Sequence, residues 1–156
     1  MGRREDRGFT TLELMVVITI VGLVTAASWG SVRDLMEQHR VSSAANEIAT
    51  HLRLARERAV AEGSHFVVTF RATNNDYEVW DDRDSDAIAG PDEVRKIQAM
   101  PPGTVVRNPQ FFGANRVTFR ADGTTDASGS VEVASGNSVR RIDVLASTGK
   151  VSVTIP

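Results

Sequence analysis

A run of apolar residues at positions 14–27 follows directly on a single carboxylate, Glu13. The wider segment 9–29 contains 21 residues, and Glu13 is its only charged side chain. This length is close to the roughly 20 residues that a helix needs to cross the hydrocarbon core of a bilayer. A charge inside such a segment costs free energy unless a partner neutralises it. The segment therefore predicts a transmembrane helix, and Glu13 becomes a candidate functional residue.

The residues before this segment set its orientation. Arg3, Arg4 and Arg7 outnumber two acidic residues there, and such an excess of positive charge keeps a terminus in the cytoplasm. We therefore expect a single pass through a membrane, with the remainder of the chain on the side opposite the cytoplasm. An ordinary secretory signal with small residues at 24–26 is the alternative. That alternative leaves Glu13 without an explanation.

Residues 8–18 have the sequence GFTTLELMVVI, which resembles the processing site of type IV pilin-like proteins. In that family, a membrane aspartic peptidase cuts after the glycine and methylates the new N-terminus. The resemblance implies cleavage between Gly8 and Phe9 and N-methylation of Phe9. Residues 1–8 would then be a leader that is removed.

Cleavage would supply the partner that Glu13 lacks. The new α-ammonium of Phe9 lies four residues, about one helical turn, before the carboxylate, so the two charges can neutralise each other. A carboxylate in the first turn also favours the positive end of the helix dipole. The resemblance further implies an assembly role, in which Glu13 pairs with the N-terminus of a neighbouring subunit. The sequence leaves open which pairing dominates.

The helical pattern continues beyond position 29, because apolar residues recur there mostly at spacings of three and four. These residues are Val32, Leu35, Val41, Ala45, Ile48, Leu52, Ala55 and Ala59. We predict an amphipathic helix over 30–63 that ends near Gly63, with a weak point around Gly30, where major pilins often carry a proline. Its C-terminal half is expected to pack on a sheet, and its N-terminal half on helices of other subunits.

From position 65 the apolar period falls to two, and turn residues separate short segments. The predicted strands are residues 66–70, 77–80, 94–98, 104–107, 116–120, 131–133, 140–145 and 151–155. The fold class is therefore α+β, a pilin-like fold in which a long N-terminal helix packs on an antiparallel β head formed by residues 64–156.

Composition limits the function classes. The chain has 156 residues with 41% apolar content, which suits one modest domain plus an anchor. The formal charge is −2, and removal of a leader carrying +1 gives −3, which is not the basic signature of a nucleic-acid-binding protein. The absence of cysteine excludes thiol catalysis. No phosphate-binding loop and no zincin histidine pair occur, so we predict a non-enzymatic protein without a firm cofactor.

Three segments of the head carry a second resemblance, to the GspH/FimT group of minor pilins and minor pseudopilins. They are residues 54–60 (LARERAV), 117–124 (VTFRADGT) and 140–151 (RRIDVLASTGKV). The resemblance implies a low-copy structural subunit at or near the tip of a type IV pilus or of a type II secretion pseudopilus. Its implied partners are other pilin or pseudopilin subunits, the prepilin peptidase/methylase and the inner membrane.

An acidic segment after the second predicted strand suggests a calcium site. Asp82, Asp84, Asp86 and Glu93 fall on positions 1, 3, 5 and 12 of an EF-hand-like loop. Ala87 replaces the glycine that makes the sharp turn in such loops, and strands flank the segment. A solvated acidic β–β loop is therefore the alternative to a Ca²⁺ site.

A DNA-binding minor pilin is the other functional alternative, with Arg140, Arg141 and Lys150 as candidate contacts. Residues 149–152 read GKVS, however, and not the Gly-Arg-x-Arg of the DNA-binding members. The acidic mature chain also disfavours nucleic acid as a partner. A membrane-anchored periplasmic β domain without a filament is the remaining alternative.

Overall fold

The computed structural model describes residues 10–86, 88–90 and 93–156, without the side chains of 27–29 and 31. The chain divides into two compact units, Met1–Met36 and Glu37–Pro156. In the described residues one helix precedes eight strands: α1 (Thr11–Glu62), β1 (His65–Arg71), β2 (Asp76–Asp82), β3 (Arg95–Ala99), β4 (Val105–Phe111), β5 (Arg116–Phe119), β6 (Gly129–Ser135), β7 (Ser138–Leu145) and β8 (Lys150–Thr154).

Helix α1 ends where the sequence predicts. Gly63 has a φ of 68°, and its N–H donates to the carbonyl of Ala59 at 3.1 Å. A glycine in the left-handed region directly after the last turn is a common helix stop, because it satisfies a terminal carbonyl without a Cβ penalty. The helical backbone is continuous through Gly30, the predicted weak point.

The β head consists of two antiparallel sheets. The sequence predicted an antiparallel head but not its division into two sheets. Sheet A has the strand order β3-β2-β1-β5, and sheet B has the order β4-β6-β7-β8. The chain leaves sheet A after β3, starts sheet B with β4 and returns to sheet A with β5, which pairs with β1. All eight predicted strands overlap an observed one.

Strand β4 differs most from its predicted extent. It continues through Pro109 to Phe111, although proline cannot donate to a ladder and usually ends a strand. The register shifts between Arg107 and Gln110, and Asn108 has a φ of 46°. This bulge lets the strand pass the proline and resume pairing with β6.

The core lies between the second part of α1 and the inner faces of the sheets. The stripe of α1 is buried only from Val41 onward, through residues such as Ile48, Leu52 and Ala59. Val32 and Leu35, which the sequence analysis assigned to the same stripe, are 50% and 60% exposed. The apolar pattern therefore continues along α1, but only its C-terminal part contributes to the core of the head.

Aromatic side chains connect the two sheets inside this core. Phe70 of sheet A stacks on Phe111 of sheet B, with ring centroids 5.7 Å apart and an interplanar angle of 9°. Tyr77 packs against Phe70, and its hydroxyl is hydrogen-bonded to Nδ1 of His51 on α1. Burial raises the pKa of Tyr77, so this hydroxyl stays protonated. The pair gives a buried phenol a polar partner on the helix.

Arg56 of α1 contacts two loops of the head, one through a hydrogen bond and one through close packing. Its Nε donates to the carbonyl of Gly123 at 3.0 Å. Gly149 packs closely against both of these groups. A Cβ atom at position 149 would lie 2.3 Å from the carbonyl oxygen of Gly123 and 2.8 Å from Arg56 Nε. The three head segments that resemble the GspH/FimT group thus meet at one junction. Close backbone approach explains why both loops carry glycine.

We expect Gly149→Ala to destabilise the head more than Gly63→Ala. Both glycines have positive φ, but nothing lies within 4 Å of a Cβ at Gly63. Gly63→Ala should therefore cost only the left-handed backbone penalty, about 1–2 kcal/mol. Gly149→Ala should lower the free energy of unfolding by roughly a further 1–3 kcal/mol, through overpacking at the junction. Urea denaturation of a fragment containing residues 37–156 measures both, and equal losses would contradict the packing role of this junction.

Candidate functional site

The predicted processing site, Gly8 and Phe9, lies outside the described residues, so cleavage and methylation there stay predictions. The described residues begin at Thr10, the second residue after this bond. The structural environment of Glu13 can be followed, because it lies in the first turn of α1.

Thr10 caps the N-terminus of α1. The N–H of Glu13 donates to Thr10 Oγ1 at 3.2 Å, and the N–H of Leu14 donates to the Thr10 carbonyl at 3.1 Å. Thr10 and Glu13 have the Thr-x-x-Glu spacing of a capping box, a signal that the sequence analysis overlooked. The cap fixes the helix start next to the predicted cleavage site and places the exposed Glu13 carboxylate at the positive end of the helix dipole.

The first part of α1 exposes an apolar surface in the single chain. Its exposed large hydrophobic residues are Leu12, Leu14, Met15, Val16, Val17, Ile18, Ile20, Val21, Leu23, Val24, Val32, Leu35 and Met36. Two hydroxyls among them are satisfied within the helix, because Thr19 and Thr25 donate to the carbonyls of Met15 and Val21, each at 2.8 Å. Apolar surfaces of this extent mark sites of protein or membrane interaction.

Over the part of the chain that the structure describes, no helix has the length and hydropathy required of a membrane span. The predicted span, residues 9–29, includes Phe9 and side chains that lie outside this description. Its transmembrane role stays a prediction.

Three of the four predicted calcium ligands come together in the loop after β2. Carboxylate oxygens of Asp82, Asp84 and Asp86 all lie within 4.8 Å of one another. Asp82 is 1% exposed, and the other two are exposed. Asp84 accepts a hydrogen bond from the N–H of Asp86 at 3.3 Å, and Asp86 accepts one from Ile88 at 2.6 Å.

Glu93, the fourth predicted ligand, is not in this group. Its two carboxylate oxygens accept hydrogen bonds from the N–H of Arg83 at 3.2 Å and the N–H of Gly90 at 2.6 Å. It therefore closes the loop through backbone contacts. Sequence spacing could not reveal this role, because it depends on how the loop folds back. Ala87 lies outside the described residues.

Calorimetric titration of the protein with CaCl₂ separates the two interpretations of this loop. A calcium site predicts saturable binding in the range of about 10⁻⁴–10⁻³ M, since only part of the usual six to eight oxygen ligands is provided by side chains here. The double substitution Asp84→Asn and Asp86→Asn should abolish that binding. A solvated acidic loop predicts no saturable heat at millimolar Ca²⁺, and that result would exclude calcium from this loop.

The predicted DNA contacts do not form one patch. Arg140 and Arg141 are consecutive residues of β7, so their side chains point to opposite faces of sheet B. Arg141 Nη2 forms a salt bridge with Glu132 Oε1 at 2.8 Å. Lys150 is exposed, and it lies opposite Leu145 in the β7–β8 ladder, four residues along β7 from Arg141. Hydrogen bonds from Arg141 and then Asn108 lower the pKa of Glu132, which stabilises the charged form of this pair.

Two family profiles match the chain. The profile described as Type II transport protein GspH matches residues 44–148, and the prokaryotic N-terminal methylation motif matches residues 3–29. A fimbrial protein of Pseudomonas aeruginosa is 29% identical over 76 residues, which are 49% of this chain and 49% of that protein. The chain thus spans about half the length of the curated relatives it matches.

Solved structures share the fold. The minor pseudopilin EpsH from the type 2 secretion system of Vibrio cholerae has a TM-score of 0.58 at 12% identity, over 75% of this chain and 98% of that one. The type IV minor pilin FimU of Pseudomonas aeruginosa has a TM-score of 0.57 at 16% identity, over 74% and 89%. These likenesses confirm the pilin-like fold class.

The helix, the antiparallel head and the methylation motif define a protein of the pilin-like class. The GspH profile spans about two thirds of the sequence, and the chain belongs to the GspH family. The resemblance to the GspH/FimT group of minor pilins and pseudopilins is thereby confirmed.

Proposed function

We propose that this protein is a non-enzymatic minor subunit of a type II secretion pseudopilus or a type IV pilus, incorporated at or near the filament tip. The observation that carries the proposal is the combination, in one chain, of the methylation motif over residues 3–29 and the GspH head over residues 44–148. The names of EpsH and FimU, a minor pseudopilin and a minor pilin, support the same class of function.

Processing prepares the N-terminus for assembly. Hydrolysis of the peptide bond between Gly8 and Phe9 releases the leader and leaves an α-ammonium on Phe9, which the enzyme then methylates. The new charge would arise one residue before the Thr10 cap of α1 and four residues before Glu13 in the sequence. The carboxylate can then neutralise its own N-terminus or that of a neighbouring subunit.

The exposed first part of α1 would serve two environments in turn. In the inner membrane it anchors the subunit, with the N-terminus in the cytoplasm and the head in the periplasm. In the filament the same apolar surface packs against helices of other subunits. The hydroxyls of Thr19 and Thr25 suit both environments, since each bonds a carbonyl within its own helix and needs no water.

The head would then project from the filament, and assembly energy would come from another protein, since the sequence contains no phosphate-binding loop. Arg141 is occupied by Glu132, and no observed geometry favours a DNA-binding function over the structural one.

We predict that Glu13→Ala is processed normally but reaches the filament at least about tenfold less than the unchanged protein, which corresponds to about 1.4 kcal/mol of lost assembly free energy. The reason is that an unpaired ammonium in an apolar helix bundle is costly. Immunoblots of isolated filaments and of membranes measure the ratio. Gly8→Leu serves as the control that blocks processing itself. Unchanged incorporation of Glu13→Ala would contradict the proposal.

A further inference from the structure

Phe112 forms the tip of the turn between β4 and β5, and it is the most exposed of the large hydrophobic residues in the described chain, at 96%. Its φ is 49°, and that of the following Gly113 is 86°. Positive φ at both central residues is the pattern of a type I′ turn, which favours Asn-Gly. A bulky aromatic residue in this conformation is a genuine outlier and costs about 1–2 kcal/mol.

The turn around Phe112 is held firmly. Phe111 and Ala114 exchange two backbone hydrogen bonds, at 2.9 and 3.0 Å. Phe111 is buried and stacks on Phe70, while Asn115 bonds the backbone of Phe70 twice, through its carbonyl and its Nδ2, each at 2.8 Å. The fold thus presents the Phe112 ring on a rigid support without burying it. The ring adds nothing to the core that would offset the cost of its backbone conformation.

The surroundings of Phe112 indicate what it would contact. The segment 108–115 (NPQFFGAN) contains no charged side chain of its own, although Arg107 and Arg116 border it and Arg71 lines a cavity with Pro109 and Asn115. Depletion of charge around an exposed aromatic residue is typical of the centre of a protein–protein interface, where rigid aromatic anchors fill pockets. Binding to an anionic membrane surface would instead favour lysine and arginine beside the ring.

We propose that Phe112 is an anchor residue that inserts into an apolar, uncharged pocket on a neighbouring pilin-like subunit. This inference rests on the proposed function, because it places the protein in a filament. It adds a contact made by the head, separate from the packing of α1. The strain at Phe112 then has a function, since the turn sacrifices stability of the free head to aim the ring outward.

Phe112→Asn tests the proposal in the full-length chain, because stability and binding should change in opposite directions. Asparagine suits the turn, so the thermal midpoint should stay equal or rise by a few degrees. Incorporation into isolated filaments should fall at least about fivefold. Phe112→Tyr, which keeps an aromatic ring, should retain most incorporation. Ile155→Asn is the matched control, since Ile155 is 74% exposed on a different part of the head.

A photoreactive phenylalanine analogue at position 112 identifies the neighbour. We expect a covalent adduct with a second protein whose own sequence carries a methylated pilin-like N-terminus. Adducts with lipid only, or no adduct, would overturn the proposal. A lower thermal midpoint for Phe112→Asn, or unchanged incorporation of this variant into filaments, would also overturn the proposal. If the unchanged protein is itself absent from filaments, the proposed function fails first, and the two failures are thereby distinguished.

Discussion

The structure depends on the burial of one stripe of α1, from Val41 to Ala59, against both sheets. The inner faces of the sheets present apolar residues such as Phe70 and Ile142, which need a cover, and the helix provides it. Arg56 strengthens this arrangement through its bond to Gly123, at the junction where Gly149 also packs. A chain without cysteine must hold its head together without disulfide bonds.

The first part of α1 carries many exposed apolar side chains, such as Leu12, Ile18 and Leu23. Exposed apolar surface of this extent is typical of segments that interact with other proteins or with a membrane. Glu13 lies at the start of that surface, next to the Thr10 cap, where the positive end of the helix dipole favours a carboxylate.

Local patterns made much of this structure predictable. The spacing of apolar residues in α1, Gly63 as its stop and the approximate positions of the eight strands follow from short segments, and they were predicted correctly. The division into two sheets was not, because β1 pairs with β5 and β4 with β6 across long sequence separations. The continuation of β4 past residue 107 was not predicted either, because it depends on the bulge between Arg107 and Gln110.

The candidate sites also combine features that short segments predict with features that depend on how the chain folds. The spacing of Asp82, Asp84 and Asp86 predicted that their carboxylates converge, but the backbone contacts of Glu93 depend on how the loop closes. The exposure of Phe112 could not be anticipated, because residues 108–115 lay between predicted strands, and the observed turn determines that Phe111 is buried and Phe112 exposed.

The mass of the N-terminal peptide of the protein, isolated from filaments, tests the account most directly. The account predicts a chain that begins at Phe9 and carries one additional methyl group on its α-nitrogen. A chain that retains residues 1–8, or one cut beyond the apolar segment near residue 26, would contradict it.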